Sequence, residues 1–311
     1  MKKTLSSLIR NDIVKLLKQN GFFAIGFSAA APVDLSWQKK FIKWIENKNH
    51  NELKWLERNI EKRFNPLLLY PETRTIISVL HPWPEMKFDE TELKIAAYAH
   101  GADYHNYLKE QAKPALQLLS NIDSKNTHKF ITDSSAVFDR YWAWKAGLGF
   151  IGKNGFLINP EIGSRVIIGH IFTSIEFEPD NDIIENKCAN CSNCLKNCHT
   201  NAFNLDGTID ARKCIACYTI ENCGEIPSEI SDKNPGWIFG CDICQQVCPF
   251  NKKEFNSIFS ERMKGNWQTP ATANEWLNMT EPEFEKLFAD TPLKRAGLNK
   301  IKSNILALIN Q

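Results

Sequence analysis

Residues 188–199 read CANCSNCLKNCH, with Cys188, Cys191, Cys194 and Cys198 spaced C-x₂-C-x₂-C-x₃-C. Thiolates are soft ligands, and three of them on one short loop can face a single iron–sulfur cube. In the bacterial ferredoxin run the fourth cysteine crosses to a second cluster and a proline follows it. Here His199 stands in the proline's place. A second group, Cys241, Cys244 and Cys248 in GCDICQQVCPFN, keeps the proline as Pro249 but is one cysteine short. The crossing rule pairs Cys188, Cys191 and Cys194 with Cys248. It sends Cys198 to Cys241, Cys244 and one residue of the middle stretch, which offers Cys214, Cys217 and Cys223. Zinc sites favour paired C-x₂-C units over a C-x₂-C-x₂-C run with a C-P. Two [4Fe–4S] clusters, forming a one-electron relay, are expected.

All ten cysteines fall between 188 and 248 of a 311-residue chain. Disulfide frameworks belong to small secreted domains, so cysteines confined to one window of a larger chain point to metal. A net charge of +2 implies no strong global attraction to nucleic acid. Apolar runs fall far short of the roughly 20 residues that span a membrane. The N-terminus is basic, but Asn11 and Asp12 interrupt it where a signal peptide needs an unbroken apolar stretch. Leu5, Leu8, Ile9, Ile13, Leu16 and Leu17 share one helical face instead, so an amphipathic helix ending at Gly21 and a cytoplasmic protein are expected.

The cysteine region must be carried by something, and the first 180 residues alternate helical and strand-like patterns. Helices are expected over 4–20, 36–60, 104–121 and 135–146, and strands over 23–28, 75–80, 129–132, 155–158 and 166–177. The last two strands flank NPEIGS and read as a hairpin. The expected class is α+β: a mixed α/β domain over 1–180, a ferredoxin-like two-cluster domain over 181–255 and a short helical segment over 256–311.

Three other motifs invite chemistry. GLGFIGKN at 147–154 holds Gly147, Gly149 and Gly152 in G-x-G-x-x-G spacing, and a G-x-x-x-x-G-K string ending at Lys153. Asn154 stands where a P-loop needs Ser or Thr, and the stretch follows a helical pattern and leads into a strand, the reverse of a nucleotide loop. It reads as a helix C-cap at Gly147 and a tight turn, or as a surface that a flat cofactor approaches. Asp103-x-His105 lacks the glycine of the cobalamin motif D-x-H-x-x-G, Leu108 standing there, so Asp103 reads as a helix cap and His105 not as a cobalt ligand. Asp133 in ITDSS follows a strand and precedes a helix. The pattern favours an N-cap over an acid at the carboxyl end of a strand, where α/β sites gather. Lysines and arginines cluster in the first 20 residues and again at Lys294, Arg295, Lys300 and Lys302, faces that also suit phosphate contacts.

The strings YAHGADYH, TDSSAVFDRYWAWKAGLGFIGKNGFLI, CANCSNCLKNC and GCDICQQVCPFN resemble the epoxyqueuosine reductase family, in order and over nearly the whole chain. The resemblance implies a cobalamin and iron–sulfur enzyme that reduces epoxyqueuosine in tRNA to queuosine, the last step of queuosine synthesis. It implies Cys214, in CIACYTIE, as the eighth cluster ligand, with Cys217 and Cys223 as departures from the family pattern. It implies Asp133 as the catalytic acid, which reverses the reading from pattern alone, and Arg58, Tyr98, Asp133, Lys153 and Asn154 as cobalamin contacts. A proton donor near neutral pH is expected in a poorly solvated place, because burial raises a carboxyl pKa. The implied partners are the modified tRNA and a cellular electron donor such as flavodoxin or ferredoxin, with no membrane, for a monomer. A reductive dehalogenase shares both cofactors but in respiratory members carries a twin-arginine signal, which this chain lacks. A simple electron carrier would leave the first 180 residues idle.

Overall fold

The computed structural model describes residues 2–83, 93–180, 182–204, 206–221, 224–251 and 270–310. Its first part is a sheet with helices on both faces. The strands are β1 (Ala24–Ala29), β2 (Thr75–Pro82), β3 (Lys94–Ile95), β4 (Lys129–Ile131), β5 (Phe150–Ile151), β6 (Leu157–Ile158), β7 (Val166–Thr173) and β8 (Trp237–Phe239). Four of them form an antiparallel sheet in the order β1-β2-β7-β4.

All eight residues of β2 are buried, which is why TIISVLHP shows no apolar–polar alternation. Ile77 and Val79 face α1 (Lys2–Gln19) and α4 (Tyr104–Ile122), meeting Ile13, Leu17, Leu108 and Ala112. Ile76 and Leu80 face the other way, towards α5 (Asp139–Lys145) and its Tyr141, Trp142 and Ala143. Each fully buried side chain of this kind contributes about 1.5–3 kcal/mol. Helix α1 closes as its periodicity predicts: Gly21 takes φ +97°, and Phe22 N–H reaches back to Leu17 O.

Three sequence expectations change. The helix expected over 36–60 breaks into α2 (Leu35–Glu46), a short turn at Lys54–Glu57 and α3 (Ile60–Phe64), because Lys48, Asn51 and Asn59 all adopt left-handed φ near +54°. The helix expected over 135–146 begins only at Asp139. The hairpin across NPEIGS does not form: β6 pairs with β5, while β7 is claimed by β2 and β4. The reason is local chemistry. The Asn159 carboxamide oxygen accepts from Glu161 and Ile162 N–H, and Asn159 and Gly163 exchange backbone bonds, closing a tight loop whose flanks diverge.

The remaining stretches pack back on this scaffold. Strand β3 pairs in parallel with β8 from the cysteine region. The C-terminal helices Ala273–Asn278 and Glu281–Phe288 each open with a capping box, Thr272 with Glu275 and Thr280 with Glu283. Together with Gly297–Ile309 they bury Trp276, Phe284, Phe288, Ile301 and Ile305 over Ile95, Ile238 and Phe239. Among the described residues no helix is long and apolar enough to cross a membrane.

One buried side chain joins the loop after β6 to the cysteine region. Asn251, 3% exposed, accepts from Ser164 N–H at 2.7 Å and donates to Ser164 Oγ at 2.9 Å and Gln245 O at 2.8 Å. Asn251→Leu strands these partners in the interior, and the expected loss is about 2–3 kcal/mol. An unchanged urea midpoint for the variant would show that the joint carries no such stability.

Candidate active site and cysteine cavities

Strand β4 ends at Ile131, and two residues later Asp133 takes φ +39°, a left-handed conformation that costs a non-glycine residue on the order of 1–3 kcal/mol. It is not a helix cap, since α5 starts six residues further on with Phe138 at its N-cap. The carboxyl turns instead to the N-terminus of α4. Tyr104 Oη donates to Asp133 Oδ2, and His105 Nε2 lies 2.5 Å from Asp133 Oδ1. The other ring nitrogen of His105 lies 2.7 Å from Asp103 Oδ1, the same oxygen that caps α4 by accepting His105 N–H. The Tyr104 ring stacks on the His105 ring with centroids 4.1 Å apart.

The electrostatics follow from this geometry. Hydrogen bonds to Asp103 and then to Asp133 push the His105 pKa up to about 9, so near neutral pH both ring nitrogens donate. The His105 bond in turn holds Asp103 below the usual carboxylate range. Burial and the Asp133 charge push the Tyr104 hydroxyl up, so it remains a donor. The expectation of a poorly solvated Asp133 is not met. Its side chain is 46% exposed, and what surrounds it is a pair of donors rather than an apolar wall. Sequence reasoning found the cap at Asp103 but missed Tyr104 and His105 as partners of Asp133. The signal was two polar residues in the first turn of a helix, with nothing to say what they would face.

The cysteines gather into two sets. Cys188, Cys191, Cys194 and Cys248 line one cavity. Burial pushes the Cys194 thiol up, and the proximity of Cys188, Cys248 and Cys191 adds to it. In the second set burial raises Cys241 and Cys244, and both feel Cys214 and Cys198. Crowded, buried thiols of this kind resist ionisation until a cationic centre offsets their charge, and a metal cluster is such a centre. Among the described residues no three His, Cys, Asp or Glu side chains could hold a single metal ion. Four thiols in each set match the four-cysteine ligation of a [4Fe–4S] cluster. Cys217 is buried beside Ile215 and Tyr218 in an apolar cluster that borders Cys214 and Cys241, and its N–H donates to Cys214 O. Cys223 lies outside the described residues.

Of the residues that the resemblance assigns to cobalamin, Tyr98 and Asp133 share one region. Tyr98 lies 6.1 Å from the Tyr104 ring and packs on the apolar cluster that also borders Cys214 and Cys241. Burial pushes its hydroxyl up, with Asp242 and Asp133 adding to the effect. Next to Tyr98, the Ala97 N–H donates to Asp242 between two cysteines of the second set, at 2.6 Å. A cofactor reduced from that set and acting at Asp133 fits this arrangement. Arg58 is exposed on the turn before α3. Lys153 and Asn154 turn instead to the first cysteine cavity. Asn154 is 1% exposed, too deeply buried to meet a cofactor on the outer surface. Within GLGFIGKN the glycines have local packing reasons. Gly147 follows Ala146, the C-cap of α5, and ends the helix at φ +73°, and the space over Gly149 is filled by Ile158 O, which a Cβ would meet at 2.6 Å.

The sequence and the fold resemble those of known proteins. Residues 63–134 match the family described as "Epoxyqueuosine reductase QueG, DUF1730", and residues 187–251 match a "4Fe-4S double cluster binding domain". Epoxyqueuosine reductase of Cellulophaga algicola is 32% identical over 303 residues, which cover 96% of each chain. The Cyclobacterium marinum protein of that name is 33% identical, covering 88% of each. The chain belongs to the epoxyqueuosine reductase family. Solved epoxyqueuosine reductases share its fold. That of Streptococcus thermophilus superposes with a TM-score of 0.86 at 29% identity, covering 96% of this chain and 80% of that one. One solved with an epoxyqueuosine-modified tRNA-Tyr stem loop superposes with a TM-score of 0.87, also at 29% identity, covering 98% of this chain and 81% of that one.

In this family member the Asp103–His105–Asp133 chain makes a pH prediction. The folded pKa of His105, about 9, lies above its unperturbed value. Its stabilising contribution is therefore complete below about pH 6.5 and lost as pH rises through 9. A histidine NMR titration is expected to place His105 near 9, and Asp103→Asn to bring it down. A wild-type value near 6.5 would contradict the charged, doubly bonded ring.

Proposed function

We propose that the chain reduces epoxyqueuosine at the wobble position of tRNA to queuosine, in the cytoplasm. Family membership supports the reaction, and the observation that carries the site is the Asp133 carboxyl held between Tyr104 and His105. The ligands we assign are Cys188, Cys191, Cys194 and Cys248 for one [4Fe–4S] cluster, and Cys198, Cys214, Cys241 and Cys244 for the other. Tyr98, Asp133 and Arg58 border bound cobalamin. That cobalamin, reduced through the clusters, supplies strongly reducing electrons one at a time, chemistry that side chains cannot provide.

Converting an epoxide to an alkene with loss of water consumes two electrons and two protons. The first proton goes to the oxygen of the opened ring and the second lets that oxygen leave as water. Asp133 faces the substrate and delivers the proton. His105, charged near neutral pH and 2.5 Å away, supplies that proton through the carboxylate, and its ring, 36% exposed, is recharged from solvent to supply the second. Tyr104 fixes the other carboxyl oxygen, and Asp103 fixes the ring that refills it. The modified base must leave the anticodon stack to reach this site. The protein acts as a monomer, reduced by a flavodoxin or ferredoxin, with no membrane partner.

The test is turnover of tRNA carrying epoxyqueuosine by the anaerobic, reconstituted protein with cobalamin and reductant, read by nucleoside mass spectrometry. A product one oxygen lighter, formed only when cobalamin is present, is expected. Asp133→Asn keeps the shape but cannot donate, and should slow the reaction by roughly 10²–10⁴-fold. Wild-type turnover by that variant would remove Asp133 from its role.

A further inference from the structure

Lys153 and Asn154 sit on the turn between β5 and β6, and the reaction as derived gives them no task. Both line the cavity of Cys188, Cys191, Cys194 and Cys248. Lys153 Nζ donates to Ala189 O at 2.7 Å and to Cys191 O at 2.9 Å, two carbonyls of the cysteine loop itself. Asn154 accepts Phe156 N–H through Oδ1, which fixes the turn and leaves Nδ2 to point elsewhere. That Nδ2 is buried and has no hydrogen-bond partner among the described residues. Buried N–H groups are nearly always satisfied, and an orphan calls for an acceptor. In this cavity the acceptor at hand is sulfur. The second cysteine loop carries the opposite charge, the buried Asp242, between Cys241 and Cys244.

We propose that Lys153 and Asn154 raise the reduction potential of the cluster held by Cys188, Cys191, Cys194 and Cys248. This rests on the assignment of those cysteines as its ligands. One-electron reduction adds one negative charge to the cluster. An ammonium beside the loop and an amide N–H donating to cluster sulfur stabilise the reduced form more than the oxidised one. The two residues also come from the catalytic domain, so the hairpin that supplies them fixes the first cluster's potential from outside the cysteine region.

The experiment is a dye-mediated potentiometric titration of the reconstituted full chain, followed by EPR, after iron and sulfide have been counted. Lys153→Met removes the charge. Asn154→Asp keeps the turn-fixing oxygen and removes the donor. Each is expected to retain two clusters and to lower the reduced-to-oxidised ratio of one cluster at least tenfold at a fixed potential, 59 mV for a one-electron couple. The other cluster should not move, and Lys153→Arg should restore the wild-type value. Unshifted potentials at full iron content would overturn the proposal. So would loss of iron in Lys153→Met with no shift in Asn154→Asp, which would make Lys153 only a clip for the loop. A wild-type protein holding fewer than two clusters would instead refute the ligand assignment.

Discussion

The fold is organised around bringing eight thiols into two small volumes. Buried thiols at close quarters repel as they ionise, so each set needs a cationic centre before it is stable as thiolate. The loops that carry them have little structure of their own. Their helices, Asn193–Lys196 and Ile243–Gln246, are single turns, far too short to persist alone. They are held from outside, by Lys153 on the carbonyls of the first loop, by Asn251 against Ser164, and by Ala97 N–H on Asp242. Cluster binding and folding are therefore linked, as in other small metal domains.

The same contacts explain why the acid and the second cysteine set are neighbours. The segment before α4 donates to Asp242 through Ala97, packs Tyr98 beside Cys214 and Cys241, and then presents Tyr104 and His105 to Asp133. Eight residues, Ala97 to Tyr104, thus run from a proposed electron source to the proposed proton source. The left-handed backbone at Asp133 is held in place by what it achieves, since it turns the carboxyl away from the helix that follows and towards α4.

What the sequence determined was chemistry carried by spacing. Three thiols within seven residues of one loop have few alternative uses, and Asp103 at a helix start is a cap wherever the helix packs. The buried runs of β2 and β7 and the face of α1 were legible because they reflect burial, which periodicity records. What only the tertiary structure decided was which distant groups meet. Asp133 looked like a cap because a local pattern cannot see α4, 28 residues earlier in the chain, reach it through His105. β6 looked like the partner of β7 because NPEIGS is a good turn. The partner was settled instead by β2 and β4, which occupy both edges of β7. Lys153 and Asn154 looked like cofactor contacts on a glycine-rich surface until the cysteine loop received them. Short-range patterns report backbone geometry and burial. The direction in which a polar side chain finds its partner depends on long-range packing, and no window of sequence contains it.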